Sequence, residues 1–327
     1  MSLSDETLTP IGGYFELELP NRVGFPFAEA NRFQSARAAF LALLRAGRPK
    51  RVWMPRYICD SMLAPLEQEG ITYLWYELDD QLLVDENCEI ENSDWLLYVN
   101  YFGICDVNVA ALLKRFPPDQ LVLDYSQAFF STPAENALAT VYSPRKFFGV
   151  PDGGLLMSQI SISAPEIRDT GSFDRTPHLL KRLGESPEAG YPFYQTAEES
   201  LGLCEPQRMS QLTEIILSSI DFDYAGKKRL QNFRYLHKKL GKLNAIAVDP
   251  LQASGPLCYP FATQDSALRN RLLTARIFVA TYWHEAVDRV TEEWAESMIM
   301  NLLPLPIDQR YGPADMERII SIITGEH

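Results

Sequence analysis

Several things are scarce in this sequence, and each scarcity excludes something. Histidine occurs only at His178, His237, His284 and His327, and no two of these are spaced i,i+4 as a metal-binding helix face requires. The five cysteines, Cys59, Cys88, Cys105, Cys204 and Cys258, are scattered and contain no C-x-x-C pair, which speaks against a zinc site or a redox dithiol and for a reducing compartment. Nowhere do about eighteen apolar residues run uninterrupted, as a membrane-spanning helix needs. Met1 to Pro20 is acidic and lacks the basic-flanked apolar stretch of a signal or transit peptide. Positive charge is short as well. Thirty Lys and Arg stand against 43 Asp and Glu, a net charge of -13, so the averaged field repels phosphates and any phosphate site must be built locally. The expectation is a cytoplasmic protein with neither a nucleic-acid nor a membrane partner. No internal repeat or low-complexity tract occurs.

What is present is enough apolar material for a large core. With 327 residues, 46% of them hydrophobic, the chain can form one big domain and a smaller one. From Arg51 to about Ile160, short apolar runs alternate with helix-like segments, the habit of a parallel sheet with covering helices. Strands are expected at Arg51–Met54, Ile71–Glu77, Trp95–Tyr101, Leu121–Leu123, Ala139–Tyr142 and Leu155–Ile160. Helices are expected near Ser35–Ala46, Ser61–Gln68 and Val107–Phe116. Between Ser163 and Cys204 the pattern loosens into Pro, Gly, Ser and charged residues, longer than an ordinary connection and a candidate cover for a site. Helical periodicity returns from Met209 through Leu240, as one long helix or two abutting ones. The remainder reads as an α+β unit: strand Leu257–Phe261, helix Asp265–Ala275, strand Ile277–Thr281, helix Glu292–Leu302, an apolar Leu303–Pro306 run, and a last helix after Pro313. The expected division is a large domain over 1–225 and a small one over 226–327.

Three segments of the first half carry chemistry together. Asp124-Tyr125-Ser126-Gln127 follows an apolar strand, and the C-terminal end of a parallel strand is where open α/β sheets place ligands. There a carboxylate can pair with a protonated ring nitrogen, or simply end the strand in an Asx turn. Tyr142-Ser143-Pro144-Arg145-Lys146-Phe147-Phe148 leads to the Gly153-Gly154 turn and puts a lysine among aromatics. Burial between Phe147 and Phe148 beside Arg145 would leave a neutral amine free to attack a carbonyl, although most lysines are solvated and inert. Phe33-Gln34-Ser35-Ala36-Arg37 opens an Ala/Leu-rich helix whose free N–H groups suit a phosphate, with Ser35 and Arg37 as further donors; a plain serine N-cap is the alternative.

The order of these pieces, helix start, strand-end Asp and then Lys about twenty residues on, resembles fold-type-I pyridoxal-phosphate (PLP) enzymes. More closely it resembles the DegT/DnrJ-type sugar aminotransferase family, in Asp124/Gln127 after a strand and Ser143/Lys146 before Gly153-Gly154. Val52 to Tyr57, Val99 to Gly103, and Arg208-Met209-Ser210-Gln211-Leu212 followed by the basic Lys227-Lys228-Arg229 helix extend the likeness. The resemblance implies an α/β chain of PLP-dependent transferase fold type I, with a mostly parallel central sheet, helices on both faces and a smaller C-terminal α+β domain. It implies pyridoxal 5'-phosphate on Lys146, with Asp124 at the ring nitrogen, Gln127 at the ring hydroxyl, and Ser143, Ser35, Ala36 and Arg37 around the phosphate. Tyr57 stands in for the residue that stacks on the ring, because Cys59 falls near the usual aromatic position.

By the same resemblance the reaction is a transamination from an amino acid such as glutamate to a keto-sugar on a nucleotide, in polysaccharide or secondary-metabolite synthesis. The enzyme would be a homodimer with sites at its interface, where Arg208 acts across the boundary. Departures are Pro206 at a position where the family commonly has asparagine, and Asp152 in place of a frequent Glu. A dehydratase or lyase of the same fold, or a scaffold that kept the fold without the chemistry, are the alternatives. Tyr282-Trp283-His284 is a candidate acceptor wall or a piece of core.

Overall fold

The computed structural model describes residues 13–22, 24–202 and 205–325. Its organising element is a seven-stranded sheet of β1 (Asn31–Phe33), β2 (Arg51–Pro55), β3 (Thr72–Tyr76), β4 (Asp94–Val99), β5 (Leu121–Tyr125), β6 (Ala139–Tyr142) and β7 (Gly154–Ser158), in the order β1-β7-β6-β5-β4-β2-β3. The run from β6 to β3 is parallel throughout, whereas β7 is antiparallel to both β6 and β1. Strands β4, β5 and β6 are buried along their whole length, which is why they read as unbroken apolar runs without alternation. Three helices connect the first strands: α1 (Ala36–Gly47), α2 (Ala64–Gln68) and α3 (Asp106–Arg115).

The stretch expected to be loose holds three helices, α4 (Ser172–Arg175), α5 (Pro177–Gly184) and α6 (Pro187–Ser200). Its prolines had suggested a loop. Pro177 and Pro187 instead occupy first helical positions, where the missing N–H costs nothing, and Ser186 caps α6 by accepting from Ala189 N at 3.1 Å. The 209–240 region is two helices, α7 (Gln211–Ser218) and α8 (Phe222–Leu240), parted at Asp221, whose carboxylate caps the second.

The C-terminal part pairs β8 (Tyr259–Ala262) with β9 (Leu302–Leu305), antiparallel, against α9 (Leu268–Thr274), α10 (Glu293–Asn301) and α11 (Pro313–Thr324). A second apolar cluster forms here, from Phe233 and Leu236 of α8, Tyr259, Phe261, Leu305 and Ile319. The strand expected at Ile277–Thr281 is absent. Ile277 and Val279 are buried in alternation as a strand's would be, but no neighbouring strand offers a ladder, and the Arg269 side chain donates to the Val279 and Ala280 carbonyls instead. Strand β1 went unforeseen because three residues with two polar side chains leave no periodic signal.

One buried charge steadies the sheet. Asp94, at the start of β4, accepts a two-pronged hydrogen bond from Arg51 of β2, Nε to Oδ1 at 3.0 Å and Nη2 to Oδ2 at 2.8 Å, and a third from Trp53 Nε1 at 3.1 Å. Burial opposes its ionisation, yet these donors outweigh that and hold the carboxyl below its usual range. A depressed folded-state pKa gives stability that is present above the unfolded value of about 3.9 and is lost as pH falls through the folded one. Asp94→Asn is therefore expected to cost roughly 1–3 kcal/mol at pH 7 and less at pH 3. Urea unfolding at both pH values checks this; a penalty that stays constant with pH would exclude the carboxylate's charge as the cause.

Candidate active site

The site lies at the C-terminal ends of the parallel strands, beside the start of α1. Ser35 has extended backbone and its Oγ accepts from Ala38 N at 3.1 Å, so it caps α1 and leaves the first-turn N–H groups of Ala36 and Arg37 without helical partners. Two glycines bring strand β7 against this helix start. Gly153 sits at φ +130° and donates its N–H to Gln34 O at 2.7 Å. A Cβ on Gly154 would lie 2.1 Å from the carbonyl carbon of Ser35 and 2.4 Å from Ala36 N, so no side chain is possible there without displacing the helix start.

Asp124 is the penultimate residue of β5 and stands in register with Val141 of β6. It is 4% exposed, its Oδ1 accepts from Ser126 N at 2.8 Å, and no cation among the described residues pairs with it. Lys146 ends the 3₁₀ turn Pro144–Lys146 that follows β6, its backbone N–H donating to Ser143 O at 3.3 Å, and its side-chain amine makes no hydrogen bond or ion pair among the described residues. Because β5 and β6 are parallel neighbours, their ends open on the same side, and Asp124 and Lys146 line one cleft of about 550 Å³. Ser143, Ser35, Ala36 and Arg37 line it too.

The expectation that Lys146 is buried among its aromatic neighbours does not hold. Phe147 and Phe148 turn into the core with Phe129 and Phe222, while Lys146 is exposed at the cleft. Arg37 does more than offer a charge, since its Nε donates to Ser61 O at 3.1 Å and its Nη1 to Leu201 O at 2.6 Å, tying two loops over the helix start.

Two expected site residues stand elsewhere. Gln127 is buried behind the cleft wall, where its Oε1 accepts from Phe102 N at 2.7 Å and holds the turn after β4. Tyr57 is also outside the cleft lining. Its ring packs edge-on against Trp283 at 4.6 Å, its hydroxyl has no hydrogen-bond partner among the described residues, and burial raises that hydroxyl's pKa well above the usual value. Cys59, Ser61 and Met62, from the turn after β2, line the cleft in its stead. Trp283 is core, Tyr282 stacks on Phe102, and none of the Tyr282–His284 trio lines the cleft.

Residues missed by sequence reasoning complete the site. Glu198 and Leu201, at the end of α6, close one side, and Arg145 forms an ion pair with Glu198 inside the cleft. The only signal for them was the unusual length of the segment that carries α6. Asp152 is structural: fully buried, it accepts from Ser210 N at 3.0 Å, Ser210 Oγ at 2.5 Å and Thr213 Oγ1 at 2.7 Å, anchoring the start of α7. Arg208 pairs its backbone with Phe33 and Arg168, and its Nε has no partner among the described residues. Cys204 and His327 lie outside the described residues.

The arrangement is thus an anion cup at a helix start, a buried carboxylate lacking a cation and an unengaged primary amine, all on one cleft. Solved structures share the frame that holds it. The sugar aminotransferase CalS13 from Micromonospora echinospora superposes with a TM-score of 0.65 at 17% identity, over 91% of this chain and 87% of that one. The chain has the fold of a fold-type-I aminotransferase. NtdA from Bacillus subtilis, solved with bound cofactor PMP, gives 0.64 at 14% identity over 90% of this chain and 72% of that one. A DegT DnrJ EryC1 StrS aminotransferase from Brucella abortus gives 0.60 at 14% identity over 91% and 86%. No family model matches the sequence, and no curated protein matches it. No helix among the described residues is long and apolar enough to cross a membrane.

Proposed function

We propose that the protein is a cytoplasmic PLP-dependent aminotransferase, moving an amino group from an amino acid such as glutamate to a keto-sugar carried on a nucleotide, in polysaccharide or secondary-metabolite synthesis. The observation that carries this reading is that the Lys146 amine, the Asp124 carboxylate and the start of α1 line the same cleft. The donor set fits the cofactor. A buried carboxylate without a cation is costly unless a positive group reaches it, and a protonated pyridine nitrogen is such a group. The start of α1 at Ala36 and Arg37, with the hydroxyls of Ser35 and Ser143, suits a phosphate.

Bound there, pyridoxal phosphate supplies an electron sink for the charge that develops when a bond at the donor's Cα is broken. Lys146 Nζ would hold the cofactor and is the group placed to take up and return a proton at the substrate. Asp124 would pair with the ring nitrogen and favour its protonated form. Ser143 and the α1 start fix the phosphate and so the ring's orientation relative to the bond that breaks. Gln127 and Tyr57 support the wall from behind. The division into a cofactor-binding part over 1–225 and a smaller part over 226–327 belongs to the same proposal, as does a homodimer. For the homodimer, support comes from apolar side chains on α4 and α5 that face solvent, among them Phe173 at 73% and Leu183 at 86% exposure.

Incubating the protein with pyridoxal phosphate and L-glutamate is expected to release 2-oxoglutarate in an amount equal to the bound cofactor. If no amino acid, glutamate included, gives a stoichiometric half-reaction, transamination is excluded.

A further inference from the structure

A second cleft, of about 570 Å³, opens where α5 meets the C-terminal part, and four arginines line it: Arg182 of α5, Arg276 just after α9, Arg310, and Arg318 of α11. In a chain of net charge -13 this is a local reversal of sign. Asp315 also lines it, but its carboxylate is turned to the Gly312 N–H at 2.8 Å, where it caps α11.

The state of the four guanidinium groups indicates what the cleft takes. Arg182 and Arg318 form no ion pair among the described residues; Arg318 donates only to the carbonyl of Ala275, at the end of α9. Arg276 pairs with Glu188 at 2.9 Å, with side-chain exposures of 60% and 52%, a pair that water screens and that a more highly charged anion can displace. Arg310 is held by Asp308 through two N–H groups, at 2.7 and 2.9 Å, which fixes its position. Arg276 adopts φ +57° because it follows the end of α9 in a Schellman turn, its N–H donating to Leu273 O at 2.9 Å and that of Ile277 to Leu272 O at 2.8 Å, which fixes where its side chain leaves the helix. Guanidinium forks match phosphoryl oxygens in pairs, as ammonium groups do not. The ring of Phe278, 44% exposed, and Tyr311 flank the arginines and offer flat apolar surface.

We propose that this second cleft binds a diphosphate group, presented free or as part of a nucleoside diphosphate, with Arg182, Arg276 and Arg318 as its ligands. The site is independent of the chemistry assigned to Lys146. It spans α5 on one side and α11 on the other, so an occupant ties the two together, and Glu188 competes for the same cation.

The test is calorimetric titration of inorganic pyrophosphate, and separately of a nucleoside diphosphate, into protein first saturated with pyridoxal phosphate to block the Lys146 cleft. Wild type is expected to give saturable binding of pyrophosphate that weakens with added salt, and for either probe the share held by this cleft is the part lost in the double variant. Arg182→Gln/Arg318→Gln should bind at least about tenfold more weakly, and Glu188→Gln, which frees Arg276, more tightly. All three residues are exposed, so the variants should melt as wild type does. Tighter binding of the nucleoside diphosphate than of pyrophosphate would make the nucleotide the occupant and give Phe278 and Tyr311 a share; equal binding leaves the free anion. Absence of saturable binding by either probe, or binding undiminished in the double variant, overturns the proposal whatever happens at Lys146.

Discussion

Alanine in place of Lys146 is expected to remove the visible absorption band that pyridoxal phosphate develops with the wild-type protein, and with it all measurable transamination. The side chain is the sole amine among the residues that line the cleft, and no hydrogen bond or ion pair with another described residue engages it. In the proposed function its loss takes away both the covalent tether and the proton carrier. General acid–base catalysis alone is worth about 10²–10⁴-fold, and loss of the tether comes on top of that. Stability should not follow. An exposed, unpartnered lysine contributes within about 0.5 kcal/mol, so the unfolding midpoint of the variant should match that of wild type. Borohydride reduction followed by mass spectrometry gives a second readout: an adduct on residue 146 in wild type, none in Lys146→Ala. Identical spectra and identical adducts in the two proteins would remove the cofactor hypothesis.

Asp124→Asn carries the second large effect. Asparagine keeps the shape, and its oxygen can still accept from Ser126 N, so the end of β5 should survive intact. What goes is the negative charge that, in the proposed site, would keep the cofactor's ring nitrogen protonated. Removing one preorganised electrostatic partner costs roughly 10²–10³-fold in kcat, and the variant should also hold pyridoxal phosphate more weakly. Single-turnover kinetics with glutamate separates the two, because saturating the cofactor restores occupancy but not rate. An asparagine variant that turns over at the wild-type rate would show that Asp124 only ends a strand.

These expectations rest on pieces that were legible to different degrees. Strands β4, β5 and β6 announced themselves because a parallel strand buried on both faces has few polar positions to interrupt it, as in Trp95–Val99. Helices α4 to α6 were hidden because Pro177, Pro187 and the internal Pro192 read as breakers until the helix register shows two of them at first-turn positions. Ile277–Thr281 had the alternation of a strand and lacked a partner, which no local pattern reports.

Residue type and order along the chain, with the family resemblance they carry, made Asp124, Lys146, Ser143 and the Ser35–Arg37 helix start candidates, since a strand end, a turn and an N-cap are local features of the chain. Which of these share a cleft, and which neighbours complete it, was decided only by tertiary structure. The parallel pairing of β5 with β6 brings Asp124 and Lys146 to one opening, and the return of α6 adds Glu198 and Leu201 from more than fifty residues away. The same packing withdrew Gln127 and Tyr57 into the wall, and it gathered four arginines from three separate segments into a second cleft. Side-chain direction and long-range adjacency depend on where distant elements dock, and that docking is settled by burial of the whole apolar surface, a property no short stretch of sequence contains.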